Sequence, residues 1–380
     1  MDYTKAFGYI DSNEKRYIEF LKEICSFEAQ AKDIDTINSM MDFVENFAKG
    51  EGLFVTRIPM DYCGDFLMIE LNQESEKSCT MHAHMDTVHE KGLFGSPAVK
   101  EADGKLYGPG VLDCKGGAAL AILVLKTLKE INYQKHVRLL LNTDEEVTSF
   151  GRPEGADIIK KSVIGFKASL NCEAGREGQL IVRRSGVTQL KIDITGKGGH
   201  SGVMYFEGAS AIVEAAHKII EIESHSQKDK VTFNCGIISG GTVINAVPDK
   251  CTVGVDIRVK NMEDMQGSIE FVKSIAEKSF VSGTTSALKI DVSRPPMIDN
   301  EDTMDLFYKF QKLNKEFGFG NLEPAETGGG SDASYTQMAG VPTICTLGPC
   351  GKFLHSKDEY MDIKSFSERA KLVTAFIAKV

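Results

Sequence analysis

Five short segments of this chain bring imidazoles and carboxylates together in patterns able to bind a metal or move a proton. In residues 81–90, MHAHMDTVHE, an extended backbone puts His82, His84 and Asp86 on one face at period two. Imidazole and carboxylate converging on one face suit a borderline-soft divalent cation; a polar strand end with two solvated histidines has the same spacing. In residues 106–119, LYGPGVLDCKGGAA, Asp113 is bracketed by Gly108, Gly110, Gly116 and Gly117 ahead of an apolar helical pattern. The loop is no phosphate cradle, because Asp113 takes the last glycine position of G-x-G-x-x-G and no G-K-[ST] is present after it. A carboxylate at such a junction can bridge two cations, or it can cap the next helix. Residues 139–151, LLLNTDEEVTSFG, run a buried strand into Asp144, Glu145 and Glu146. Strand ends of α/β sheets are where ligands bind, and adjacent carboxylates there repel unless a proton or metal separates them; a solvated acidic loop is the alternative. Glu173 ends the apolar stretch SLNCEAG, and His355 stands in the glycine-led loop GKFLHSKDEY. G-x-S-x-G, H-E-x-x-H and C-x-x-C are all absent, which excludes those hydrolase, metalloprotease, zinc-finger and thioredoxin-type signatures.

The elements that must position these groups fall into two styles. Up to about residue 184, helical patterns (13–26, 36–49, 118–131) alternate with short apolar runs around 66–71, 79–86 and 137–141. Consecutive Leu139, Leu140 and Leu141 indicate a strand covered on both faces, hence an α/β layer structure. From 187 to about 292 the strands alternate instead: Leu190, Ile192 and Ile194 against Lys191, Asp193 and Thr195, and likewise Cys251, Val253, Val255 and Ile257. With helical patterns at Ile212–Ile220 and Ile269–Ala276, the order reads βαββαβ, a ferredoxin-like unit with one solvated sheet face. The expected organisation is an α/β domain, 1–184 and 294–380, interrupted by a smaller domain, 185–293, with an amphipathic helix near the end at 366–380.

Composition narrows the partners. The chain has 380 residues, 42% hydrophobic and 26% charged, with a formal charge of −10, so a nucleic-acid ligand is not expected. No run approaches the ~18 apolar residues of a membrane span, and no secretory signal is expected at the start. Nine scattered cysteines read as reduced thiols in a cytoplasmic protein.

Taken in order, the five segments resemble the co-catalytic di-zinc exopeptidase and deacylase family that includes bacterial glutamate carboxypeptidase, peptidase T, succinyl-diaminopimelate desuccinylase and acetylornithine deacetylase. The likeness runs from about residue 15 to the end of the chain. It implies a zinc-exopeptidase-like catalytic domain with a mixed sheet flanked by helices, and an inserted lid or dimerisation domain that closes to assemble the site. By the same resemblance, two divalent ions (zinc, with cobalt or manganese possible) are held by His84, Asp113, Glu146, Glu173 and His355. Asp113 bridges them, Asp86 orients His84, and Glu145 is the general base. Two such ions ~3.5–4 Å apart can hold a hydroxide and polarise a scissile carbonyl. GKGGHSG matches a family motif whose histidine, here His200, reaches across a homodimer to the developing oxyanion. Asn245, Arg258 and the loop ETGGGSDAS, with Gly328, Gly329, Gly330 and Ser331, match residues that bind a substrate carboxylate, Arg258 standing available on the polar face of its strand and the glycines offering backbone N–H groups. The implied substrate is a small peptide or N-acyl amino acid with a free C-terminal carboxylate. An N-acyl-amino-acid deacylase or a tri- or dipeptide aminopeptidase is the alternative within the family, and a non-catalytic binding module the alternative outside it. Three features depart from the pattern: Cys114 beside the bridging Asp113, the extra His82, and Arg183-Arg184 in place of a family lysine shortly after the late glutamate ligand.

Overall fold

Three apolar runs of the first half become parallel neighbours at the centre of a six-stranded mixed sheet in the computed structural model, which describes residues 3–380. Their order is Phe54–Ile58, Phe66–Leu71, His136–Asn142, Lys77–His84, Ala168–Asn171 and Thr343–Ile344. The first two strands pair antiparallel and join His136–Asn142 antiparallel; the rest run parallel. Both faces are covered, as the leucine run requires. Leu139 and Leu141 enter the main core, while Leu140 packs with Phe66, Ala156 and Ile159. The helix Lys115–Glu130 is buried almost all round, as befits a central helix. Tyr3–Ser26 and Ile363–Lys379 contribute to the same core.

The chain forms two compact units. Among the described residues the first holds 3–182, 299–326 and 335–380, and the second holds 183–298 with 327–334. The glycine loop 327–334 therefore groups with the inserted segment, although along the sequence it lies in the chain's last third.

In the second unit four antiparallel strands are ordered Val231–Gly240, Lys250–Val259, Gly186–Thr195 and Thr285–Arg294. With helices Ala211–Glu223 and Met262–Glu277 this is the ferredoxin-like βαββαβ arrangement. Burial alternates strictly along Gly186–Thr195 from Leu190 onward, leaving one sheet face packed and the other open. Ser210 and Asn261 cap the two helices, accepting from the Val213 and Asp264 amides. Lys218, fully buried, donates to the carbonyls of Ile275, Ala276 and Lys278 at 2.7, 3.1 and 2.5 Å. It thereby satisfies the free end of the second helix from the first.

Candidate metal centre

Parallel strands that end together bring their succeeding residues to one edge. His84 pairs with Asn142 and His82 with Asn171, so three strands stop side by side. The residues just beyond are Asp86, the Asp144-Glu145-Glu146 run and Glu173. This is the carboxyl edge at which α/β sheets bind ligands. Asp113 arrives from the turn before the helix Lys115–Glu130. Gly110 there has φ +78°, and a side chain at Gly117 would strike the Cys172 carbonyl at 1.8 Å. The glycines of this segment thus let the helix start against the end of the Ala168–Asn171 strand.

The imidazole of His84 is held at both nitrogens. Nδ1 lies 3.1 Å from the Asp86 carbonyl and 3.3 Å from its Oδ1, and Nε2 lies 3.1 Å from Asp113 Oδ1. The second oxygen of Asp113 faces a different histidine, His355 Nε2 at 3.3 Å, which also lies 3.3 Å from Glu146 Oε2. The Glu146 amide donates to Asp86 Oδ2 at 3.0 Å, and the Glu173 amide to Asn171 Oδ1 at 3.0 Å. Ligand atoms of His84, Asp113 and Glu146 lie within 4.8 Å of one another, as do those of His84, Cys114 and Glu173. Glu145 and Glu173 are buried.

So many buried carboxylates repel one another unless positive charge lies among them. Burial opposes the Asp113 anion, but hydrogen bonds from His355 and His84 hold its carboxyl well below the ordinary range. Burial would likewise discharge His84, but Asp113 and Asp86 raise it well above its usual value. Hydrogen bonds to Asp113 and Glu146 push His355 up to about 10. Burial pushes Glu146 up to about 8, against the hydrogen bond from His355.

Several alternatives open in the sequence close here. His82 and His84 are buried rather than solvated, and Asp144 and Glu145 of the acidic run are buried rather than part of a solvated loop. His82 takes no part in the cluster; burial lowers it to about 3 and its Nε2 lacks a hydrogen-bond partner among the described residues. Asp113 does not cap the next helix, whose N-cap is Cys114. Cys114 packs inside, its thiol donating to the Cys172 carbonyl at 3.1 Å and raised by burial and the nearby Glu173.

In the second unit, His200 pairs with Ala246 in a two-stranded ladder, and the Ser201 amide donates to the Asn245 carbonyl at 3.0 Å. His200 and Asn245 are thus neighbours, both exposed. Arg258 is not the available cation expected from its strand face. Asp256, two residues earlier on that face, takes it at 2.7 and 3.1 Å, and a third nitrogen donates to the Gly328 carbonyl at 3.3 Å. Arg184 donates to the Gly329 and Gly330 carbonyls at 3.4 and 2.8 Å. The glycine loop therefore turns carbonyls toward two arginines. Ser331 is buried, and the neighbouring Asp332 faces Arg294 at 3.4 Å. Asp256, Arg294 and Asp332 were not marked by sequence spacing, though the i, i+2 relation of Asp256 to Arg258 is a strand-face signal.

Residues 80–379, which include every candidate ligand, match the model of peptidase family M20/M25/M40. The chain belongs to that family. Carboxypeptidase G2 of Pseudomonas sp. is 30% identical over 369 residues, spanning 95% of this chain and 88% of that protein. Among solved structures, aminopeptidase PepT from Bacillus cereus superposes with a TM-score of 0.78 at 21% identity, covering 97% of this chain and 98% of that one. A dinuclear metal-binding M20 peptidase from Bacillus subtilis superposes with a TM-score of 0.71 at 14% identity, covering 97% and 98%. Family membership makes the chain a metallopeptidase-type hydrolase, and its M20 α/β fold agrees with the α/β layers expected from the sequence patterns and with the mixed sheet that the resemblance implied. Among the described residues no helix is long and apolar enough to cross a membrane.

Proposed function

We propose that this M20 enzyme hydrolyses the amide bond of small peptides or N-acyl amino acids that end in a free carboxylate. Two divalent ions, zinc by preference, would be held by His84, Asp113, Glu146, Glu173 and His355. The observation that supports this most is the division of Asp113, one oxygen toward His84 and the other toward His355, as a bridging carboxylate requires. The donor set of imidazoles and carboxylates suits zinc. When bound, a pair of such ions polarises a carbonyl and makes water a nucleophile near neutral pH. Asp86 fixes the tautomer and aim of His84. Glu145 takes a proton from the attacking water and returns it to the leaving amine. From the second unit, His200 would donate to the developing oxyanion, while Asn245, Arg258 and the 328–331 loop select the substrate's carboxylate.

The carboxypeptidase reading is favoured by the 30% identity to carboxypeptidase G2 along nearly the whole chain. A hydrolysis screen tests it: dipeptides and N-acyl amino acids with varied C-terminal residues, each also supplied with its terminal carboxylate amidated. Turnover of free acids, lost on amidation, is the expected result. Cleavage that tolerates amidation but requires a free amino terminus would make the enzyme an aminopeptidase. Hydrolysis confined to N-succinyl or N-acetyl substrates would make it a deacylase.

We also propose a homodimer through the second unit. Its edge strand Val231–Gly240 exposes Ile237 and Ile238, and the helix Ala211–Glu223 exposes Ile212, Val213 and Ile220. An unpaired apolar edge of this kind is a template for a second copy. Light scattering should give a dimer mass; a monomer at micromolar concentration would contradict it. Nine free cysteines favour a cytoplasmic setting.

A further inference from the structure

The run HSKDEY, which begins at the ligand His355, carries two adjacent acids with opposite fates. Asp358 has a side chain 64% exposed, whereas Glu359 is fully buried. Both oxygens of Glu359 are used. Oε1 accepts from the backbone amides of Leu112 and Asp113 at 3.0 and 3.1 Å, and Oε2 accepts from His89 Nε2 at 2.7 Å. The His89 ring is wedged edge-on against Phe94, with centroids 4.9 Å apart. The main chain reinforces the contact: the Gly108 amide reaches the Glu359 carbonyl at 3.4 Å, and Tyr360–Asp362 pairs with Lys105–Tyr107. A buried carboxylate with three donors and no exposure is a strong tether, because losing any donor strands a charge away from water.

The partners lead to two ligand-bearing segments, and Glu359 itself stands on a third. His89 lies five residues beyond His84, the Asp113 amide belongs to the bridging residue itself, and His355 stands four residues before Glu359. Of these, the His355 segment has the greatest need of an anchor. Its side chain is 54% exposed, its backbone lies in the left-handed region at φ +59°, and Phe353 and Leu354 beside it are also exposed. We infer that Glu359 is a positioning residue whose buried carboxylate clamps the His84, Asp113 and His355 segments in register for metal binding. It would touch neither metal nor substrate. The inference rests on the ligand set proposed above.

Cobalt titration of the full-length, chelator-stripped protein tests it, read by affinity and by the visible absorption of bound Co²⁺. The parent must take up two ions per chain; failure there would sink the ligand assignment itself rather than the clamp. Given two ions in the parent, Glu359→Ala should weaken at least one equivalent by roughly 10–100-fold and alter the cobalt spectrum, while the far-ultraviolet dichroism is retained. Glu359→Gln can still accept from both amides and reach His89, so it should restore the parental spectrum and most of the affinity. Parental affinity and spectrum in Glu359→Ala, or equal losses in the Ala and Gln variants, would overturn the clamp. Should Glu359→Ala not fold, Glu359→Asp keeps the charge but falls one methylene short. A tenfold or greater weakening there, as roughly expected for a supporting group, sustains the inference, and unchanged cobalt binding overturns it.

Discussion

In the first unit, His84, Asp86, Asp113, Glu145 and Glu173 are nearly sealed from solvent, and each is aimed by backbone at the end of a strand or the start of a helix. In the second, His200 and Asn245 are exposed, and Arg258 is half-exposed and already paired with Asp256. Under the proposed roles, the groups that hold charge at fixed distances are, apart from the half-exposed His355, preorganised in a low-dielectric interior, where they act strongly and cost no rearrangement at the moment of reaction. The groups proposed to meet a substrate stay at the surface, where exchanging one carboxylate partner for another is inexpensive. Arg258, holding Asp256 and the Gly328 carbonyl, has the fork geometry to receive a second carboxylate.

Substitutions can break that contrast or sharpen it. Glu145→Gln should reduce kcat by about 10³-fold with metal content unchanged, the effect of losing a positioned base; near-parental kcat would move the proton-transfer role elsewhere. His200→Ala should reduce kcat by about 10²-fold, the cost of one oxyanion donor, again with full metal content by elemental analysis. Loss of metal in His200→Ala would instead tie that residue to the buried centre. Arg258→Ala should raise KM for free-acid substrates by about 10-fold or more, with kcat and metal content little changed. A fall in kcat at parental KM would show that Arg258 supports the loop and does not read the carboxylate.

The metal centre also makes a prediction about pH. A cation entering the first unit must displace the protons held by His355, raised to about 10, and by Glu146, raised to about 8. Metal affinity should therefore fall as pH falls below about 10, by about tenfold per pH unit for the His355 proton, and more steeply below about 8, where the Glu146 proton adds to it. Cobalt titrations at several pH values would check the slope. Affinity that is flat between neutral and mildly acidic pH would show that these protons are not in the way.

The candidate residues near strand ends were legible as candidates because the strand and helix patterns mark those ends, while the roles proposed for them came from the family resemblance. His84 and Asp86, the DEE run and Glu173 all lie at or just beyond apolar strands, and parallel pairing then aligns the strand ends. The alternating strands of the second unit and its two helices were legible for the same reason. What was hidden depends on contacts distant in sequence. Nothing local separates Glu359 from Asp358, since burial of one and exposure of the other is decided by amides more than 240 residues away. The loop 327–334 belongs with the second unit through Arg184 and Arg258, again a long-range fact. His82 shows the limit of a face argument: it shares the period of His84, but it lies deeper in the sheet, where no acidic strand end reaches it.

Every role assigned to the first unit depends on Asp113 bridging two cations. Zinc content per chain, measured for the parent and for the near-isosteric Asp113→Asn after equilibration with zinc, tests that bridge. The predicted result is two ions in the parent and at most one in the variant, with turnover lost. Two tightly held ions in Asp113→Asn, or none in the parent, would contradict it.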